Sequence, residues 1–146
     1  MTSLERTVQR LVDLEDIRSL TASYAHAVDK GLQGKGVDFA ALPGLFTADA
    51  TWNATGMAQP VAGIDNIVTS LRAGTAQIDF AMHSFSNPVI TIDGDTAHAK
   101  WLLWVGIKTG DTANMVLQGE TLTYARTADG WRISTLDLQF GTMLVG

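Results

Sequence analysis

Two hydrophobic periods divide the chain. From Leu4 onward apolar residues recur at helical spacing, at Leu4, Val8, Leu11, Leu14, Ile17, Leu20, Tyr24 and Val28. Glu5, Gln9, Arg10, Asp13, Glu15, Asp16 and Arg18 fill the polar positions between them. Thr2-Ser3-Leu4-Glu5 has capping-box spacing at the start, and Gly31 is the expected stop. The pattern predicts one long helix of about seven turns. From residue 80 the period changes to two, which predicts four long strands at about 80–93, 95–108, 113–127 and 130–140. Asp93-Gly94 and Asp129-Gly130 are hairpin signals, and Thr109 to Thr112 make the middle turn.

The region between is less regular. Residues 31–36, Gly-Leu-Gln-Gly-Lys-Gly, form a loop that a helix precedes, so it is not a phosphate loop. Asp38 is placed to cap a short second helix through Phe46. Pro43 either breaks that helix near Leu42 or sits in the first turn of a shorter one. Short strands are expected at Asp49–Asn53 and Gln59–Ala62. Apolar residues at 64, 67, 68 and 71 predict a third helix over Ile64–Ala73 that ends at Gly74. Helices first and an antiparallel sheet later point to a single α+β domain over residues 1–146. A long helix across the concave face of a curved sheet would leave an apolar pocket between them. The sheet's other face stays open, so a homo-oligomer, dimer or trimer, is expected.

Composition narrows the choice of partner. The 146 residues are 46% hydrophobic, enough for a real core. A net charge of −5 argues against nucleic acid and anionic membrane, which both want a basic patch. There is no cysteine, so disulfide and thiolate chemistry are excluded. The polar N-terminus lacks an apolar signal core and no apolar run approaches the ~20 residues of a membrane span, so a cytoplasmic protein is expected. Ligand spacings for zinc, a nucleophile elbow and a dinucleotide fingerprint are all missing, so neither a metal nor a cofactor is expected.

The candidate chemistry centres on His83, in a strand whose alternation groups Ala81, His83, Phe85, Asn87 and Val89 on one side. Spacing alone leaves His83 as either a packed core residue or a catalytic base. Asp29 stands near the C-terminus of the long helix, where the dipole disfavours a carboxylate unless a cation or N–H donor faces it. An imidazole from the sheet would meet that need and keep one ring nitrogen free as a base. Tyr24, five residues earlier and about 140° round the helix, is a core tyrosine or a group that orients a substrate oxygen. His26 reads as a solvated partner of Asp29, and His98 faces away. Trp52, Phe85, Trp101 and Leu103 are candidate lining. The four tryptophans (Trp52, Trp101, Trp104, Trp131) suggest a tryptophan-rich pocket for a hydrophobic, cyclic small molecule. Gln118 and Glu120 share a face with Leu122 and Tyr124, and mark either pocket polarity or a solvated outer face. Phe140, Met143 and Leu144 would cover a pocket or a subunit interface.

Several motifs together resemble the SnoaL-like branch of the nuclear-transport-factor-2-like (NTF2-like) superfamily. They are Tyr24-x-x-x-x-Asp29, Asp38-Phe39-x-x-Leu42-x-x-Leu45-Phe46-x-x-Asp49-Ala50, Gly63-Ile64, His83 and Thr91-Ile92-Asp93-Gly94-Asp95. The resemblance implies a cystatin-like cone, with N-terminal helices packed on a curved antiparallel sheet. Within the branch, the Asp29 and His83 pattern is similar to scytalone dehydratase, hexachlorocyclohexane dehydrochlorinase and bile-acid 7α-dehydratase. The last also shares Met82-His83 and Ile90-Thr91-Ile92-Asp93. Trp101 stands where scytalone dehydratase has a second histidine, and Val105 near an acidic residue of the bile-acid enzyme. What the resemblance implies is cofactor-free elimination, with His83 as base, Asp29 stabilising the imidazolium and Tyr24 as positioner or acid. Isomerisation and polyketide-type cyclisation begin with the same proton transfer. A ligand carrier or an oxygenase small subunit is the alternative without chemistry.

Overall fold

The computed structural model describes residues 1–55 and 59–146. Its elements are α1 (Ser3–Val28), β1 (Phe46–Ala54), β2 (Val61–Ala62), α2 (Ile64–Thr75), β3 (Phe80–Asp93), β4 (Thr96–Thr109), β5 (Thr112–Thr127) and β6 (Gly130–Val145). Thr2 and Glu5 close the capping box: the Glu5 amide donates to Thr2 Oγ1 at 3.1 Å, and the Thr2 amide donates back to the Glu5 carboxylate at 2.6 Å. The helix ends at Asp29, two residues before Gly31. No helix runs from Asp38 to Phe46. Asp38 instead accepts from the Ala41 amide, and Leu42–Gly44 forms one 3₁₀ turn with Pro43 at its start. Pro43 has no N–H to give back to Phe39, so a helix begun at Asp38 cannot run through it, and it stands instead in the first positions of the turn, where no N–H is needed.

The six strands run in the order β2-β1-β6-β5-β4-β3. The sheet is mixed rather than antiparallel, because β1 lies parallel to β6. Three successive hairpins return β6 beside β1 running the same way, and the long crossover through α2 makes that possible. Strand β6 continues to Val145, beyond the expected end at 140.

The core lies between α1, α2 and the concave face. Ala97, Ala99, Trp101, Leu103 and Val105 of β4 are buried, as are Leu122 and Tyr124 of β5 and Trp131, Ile133, Leu136 and Leu138 of β6. Ile17, Leu20, Tyr24 and Val28 close over them from α1. A directed chain of polar contacts pins the helix to the sheet. Trp101 Nε1 donates to the Tyr124 hydroxyl at 3.1 Å. The Tyr124 hydroxyl lies 2.7 Å from Thr21 Oγ1, which itself donates to the Ile17 carbonyl, so Tyr124 is the donor to Thr21.

Strand β3 departs from simple alternation. The ladder to β4 shifts between Ser86 and Val89, and Asn87 takes φ +52°. Ala81, His83 and Phe85 face inward as expected, but Asn87 and Val89 do not: both are exposed, and Ile90 and Ile92 turn to the core instead. One extra residue in the strand reverses the face of everything after it.

Candidate active site

Asp29 and His83 come from opposite layers, and the backbone joins them. The last residue before the first loop, Lys30, bridges to Ala81 of the edge strand β3. The Lys30 amide donates to the Ala81 carbonyl and the Ala81 amide to the Lys30 carbonyl, each at 2.9 Å. Gly31 makes this approach possible. Its φ is +90°, and a Cβ there would stand 2.5 Å from the Asp79 carbonyl oxygen. Lys35 Nζ donates to the Asp29 carbonyl at 2.8 Å, placing a cation where the helix dipole favours one.

Asp29 then faces His83 directly. Its Oδ1 accepts from the His83 backbone amide at 2.8 Å and lies 3.0 Å from the ring Nδ1. Burial pushes the Asp29 carboxyl up, but the hydrogen bonds from the His83 ring and amide, with the fields of His83 and His26, outweigh it. The group is held below the usual carboxylate value. An ionised Asp29 can only accept, so Nδ1 carries the proton toward it and Nε2 keeps a free lone pair. His26 is exposed and contributes by its field rather than by contact. His98 points outward, with Nδ1 3.2 Å from Thr123 Oγ1.

His83 lines two adjoining hollows. The inner pocket, about 280 Å³, is bounded by Tyr24, Trp52, Leu71, Leu103, Val105, Ile107, Val116, Gln118, Glu120, Leu138, Phe140 and Met143. The outer groove runs between α1 and β3 and includes Arg18, Ala22, His26, Ser84, Phe85 and Trp101. Trp52, Leu103, Gln118 and Glu120 of the expected lining therefore meet at the inner pocket, whereas Phe85 and Trp101 line the groove. The pocket is not tryptophan-rich. Trp104 is 53% exposed on the opposite face of the sheet, and Trp131 lies under Arg126 with its Nε1 donating to Asp13.

Tyr24 is buried, packed edge-on to Phe46 and tilted against Phe85. Burial and the nearby Glu120 push its hydroxyl well above the ordinary tyrosine range, so it keeps its proton. Glu120 is itself buried, and one of its carboxylate oxygens, Oε2, has no hydrogen-bond partner among the described residues. Gln118 and Glu120 thus supply pocket polarity rather than a solvated face.

Phe140 and Met143 both turn into the pocket although they are three residues apart. The register between β5 and β6 shifts between Leu117 and Gln118, next to Gly141, where a Cβ would stand 2.5 Å from the Leu117 carbonyl oxygen. Phe140 and Met143 border the pocket while still 46% and 44% exposed, and Leu144, 56% exposed, does not line it. Arg18 and His26 beside the groove were not singled out as lining by sequence. Their place at helical spacing on α1, eight residues apart, was the available signal. Among the described residues, no group of three or more His, Asp or Glu side chains is placed to hold a metal ion, and no helix is long and apolar enough to cross a membrane.

The profile of the SnoaL-like domain matches residues 9–137. No curated protein matches the chain. Among solved structures, the chain is 27% identical to an NTF2-like protein with a cystatin-like fold from Novosphingobium aromaticivorans, with a TM-score of 0.78 over 96% of this chain and 89% of that one. It is 26% identical to the Kfla4162 protein from Kribbella flavida, with a TM-score of 0.81 over 92% and 95%. Hexachlorocyclohexane dehydrochlorinase LinA-type3 from Novosphingobium barchaimii shares the fold at 16% identity, with a TM-score of 0.83 over 96% and 94%. The chain belongs to the SnoaL-like domain family and has the NTF2-like, cystatin-like fold.

Proposed function

We propose that this SnoaL-like protein is a cofactor-independent lyase that eliminates water from a hydrophobic, cyclic small molecule. The observation that carries the reading is the 3.0 Å contact between Asp29 and His83 Nδ1, at a histidine that lines an apolar pocket. His83 Nε2 takes a proton from carbon next to an activating carbonyl or conjugated ring. Asp29 fixes the tautomer and stabilises the imidazolium as it forms. Tyr24, with its proton held by burial, gives a hydrogen bond to a substrate oxygen. Leu103, Val105, Val116 and Leu138 exclude water around the reacting carbon. Likeness to a dehydrochlorinase in fold supports elimination as the class of reaction.

Isomerisation and cyclisation share the first step and differ in the product. A screen of hydroxylated polycyclic ketones, read by mass, separates them: elimination yields a product lighter by one water, whereas isomerisation leaves the mass unchanged. His83→Ala should abolish turnover while circular dichroism and probe binding stay near those of the parent. Unaltered turnover in that variant overturns the assignment of His83 as base, whereas a parent protein that binds such compounds and turns none over leaves the carrier or subunit role in its place.

We propose also that the chain works as a homo-oligomer joined through the outer face of the sheet. There Met82, Gly106, Met115 and Leu144 form one row across β3 to β6, and Ser84, Trp104, Leu117 and Thr142 form the next. Met82, Trp104, Met115 and Leu144 are 47%, 53%, 37% and 56% exposed. Large exposed apolar groups held side by side on one face suit a second copy of the same face.

A further inference from the structure

Resting on the lyase reading above, we propose that Glu120 is the acid of the pocket: it holds a proton and passes it to the oxygen that leaves the substrate. The placement comes first. Glu120 lies on β5 between Trp101 of β4 and Leu138 of β6, and is 2% exposed. It lines the same inner pocket as His83 and Tyr24. Its buried Oε2 has no partner among the described residues. A buried carboxylate without a partner is costly, whereas a neutral carboxylic acid carries a donor that an incoming oxygen can satisfy.

The surroundings favour the neutral form. Burial, and then the like charge of Asp137 on β6, push the Glu120 carboxyl from the ordinary 4.5 up to about 8. The other titratable groups near it are Tyr24 of α1 and Tyr124 of β5, both raised and neutral, and His83 of β3 across the pocket. Its cross-strand neighbours are Trp101 of β4 and Leu138 of β6, and β1 contributes Trp52 to the pocket, none of them a cation. Tyr24 is the weaker candidate for the transfer, because an acid serves best when its proton is held only a little above the working pH.

The step balances without an external reagent. His83 Nε2 takes the proton from carbon, and the C–H electron pair becomes the new C=C bond. The C–O bond breaks, its pair stays on oxygen, and that oxygen takes the Glu120 proton and departs as water. The imidazolium then returns its proton to the Glu120 carboxylate through solvent.

The test uses protein labelled with ¹³C at the glutamate carboxyl carbon. The chain has three glutamates, Glu5, Glu15 and Glu120, so the spectrum is simple, and Glu120→Gln assigns the third resonance. The Glu120 signal is expected to titrate near 8 and to shift when 1-naphthol, a bicyclic phenol that mimics an enol, is added. Titration at the ordinary 4.5, or no response to 1-naphthol, overturns the proposal. Glu120→Gln keeps a donor but has no acid proton. It should hold 1-naphthol within about threefold of the parent and lose at least ~100-fold in kcat for loss of water. Equal losses in binding and kcat would make Glu120 a structural residue and overturn the assignment. If His83→Ala abolishes turnover while Glu120 titrates normally, the dyad stands and only the acid is lost. If His83→Ala turns over like the parent, the dyad as base has failed; if the parent itself releases no water from any compound of the screen, the lyase reading has failed.

Discussion

A carboxylate at the end of a helix is poorly placed unless something answers it, and Asp29 is answered twice by one residue, through the ring and the amide of His83. The double contact predicts how Asp29→Asn will behave. Asparagine can still accept from the His83 amide, so the fold and probe binding should change little. It lacks the charge that stabilises the imidazolium, so kcat should fall by about 10²- to 10⁴-fold; steady-state kinetics of the two proteins side by side checks this. Glu120 gives a second prediction, on stability. Its carboxyl is raised in the fold, so the native state binds more protons than the unfolded chain between 4.5 and about 8. Its contribution is fully present below 4.5 and is lost as pH rises through about 8. Glu120→Gln should therefore gain on the parent as pH increases, by on the order of a few kcal/mol at pH 9 in urea melts. A constant difference across the range would contradict it. The pairing of Asp29 with His83 was legible in the sequence because helix-end electrostatics asks for a donor. The side on which Glu120 falls was not, because alternation tells which residues share a face but not which face is covered.

At the scale of elements, α1 is held at both ends of its buried half by different means. Asp13, 4% exposed, accepts two bonds from Arg126 of β5, at 2.8 and 2.9 Å, and one from Trp131 of β6. The Arg126 contact chiefly, set against burial, brings its carboxyl down to about 2. This contribution is present above the ordinary 3.8 and is lost as pH falls through about 2. Asp13→Ala should cost about 2–3 kcal/mol at pH 7, less than a fully buried pair because Arg126 can still reach water. Equilibrium denaturation measures it. At the other end, Gly31→Ala would combine a positive φ with the clash against Asp79, and should cost about 2 kcal/mol or more while lowering kcat through Asp29. Unchanged melting would refute the close approach. Helix and strand identities followed from their periods. The bulges at Asn87 and Gly141 did not, although the first decides that Ile90 rather than Val89 faces the core and the second lets both Phe140 and Met143 reach the pocket. A single inserted residue leaves the composition of a strand unaltered and reverses its parity.

For the whole molecule, a parallel β1–β6 pair completes the sheet, which local patterns could not anticipate because the partners are 84 to 87 residues apart in the chain. The long helix overhangs the sheet: Leu4, Val8 and Leu11, apolar in the helical pattern, are 72%, 50% and 60% exposed. The convex face carries Trp104 and its neighbours. Light scattering at micromolar concentration is expected to give a multiple of the single-chain mass, and Trp104→Glu to reduce it by placing charge in an apolar contact. A monomer in the parent protein would contradict the assembly.

The bridge between Lys30 and Ala81 also makes the dyad observable without a substrate. Its two amides are shielded from solvent only while the helix end stays zipped to the strand edge, and the His83 amide only while it stays bonded to Asp29. Their hydrogen–deuterium exchange rates therefore count how often the machinery comes apart. Slow, matched exchange at Lys30, Ala81 and His83 would mark them as one cooperative unit, opening together or not at all.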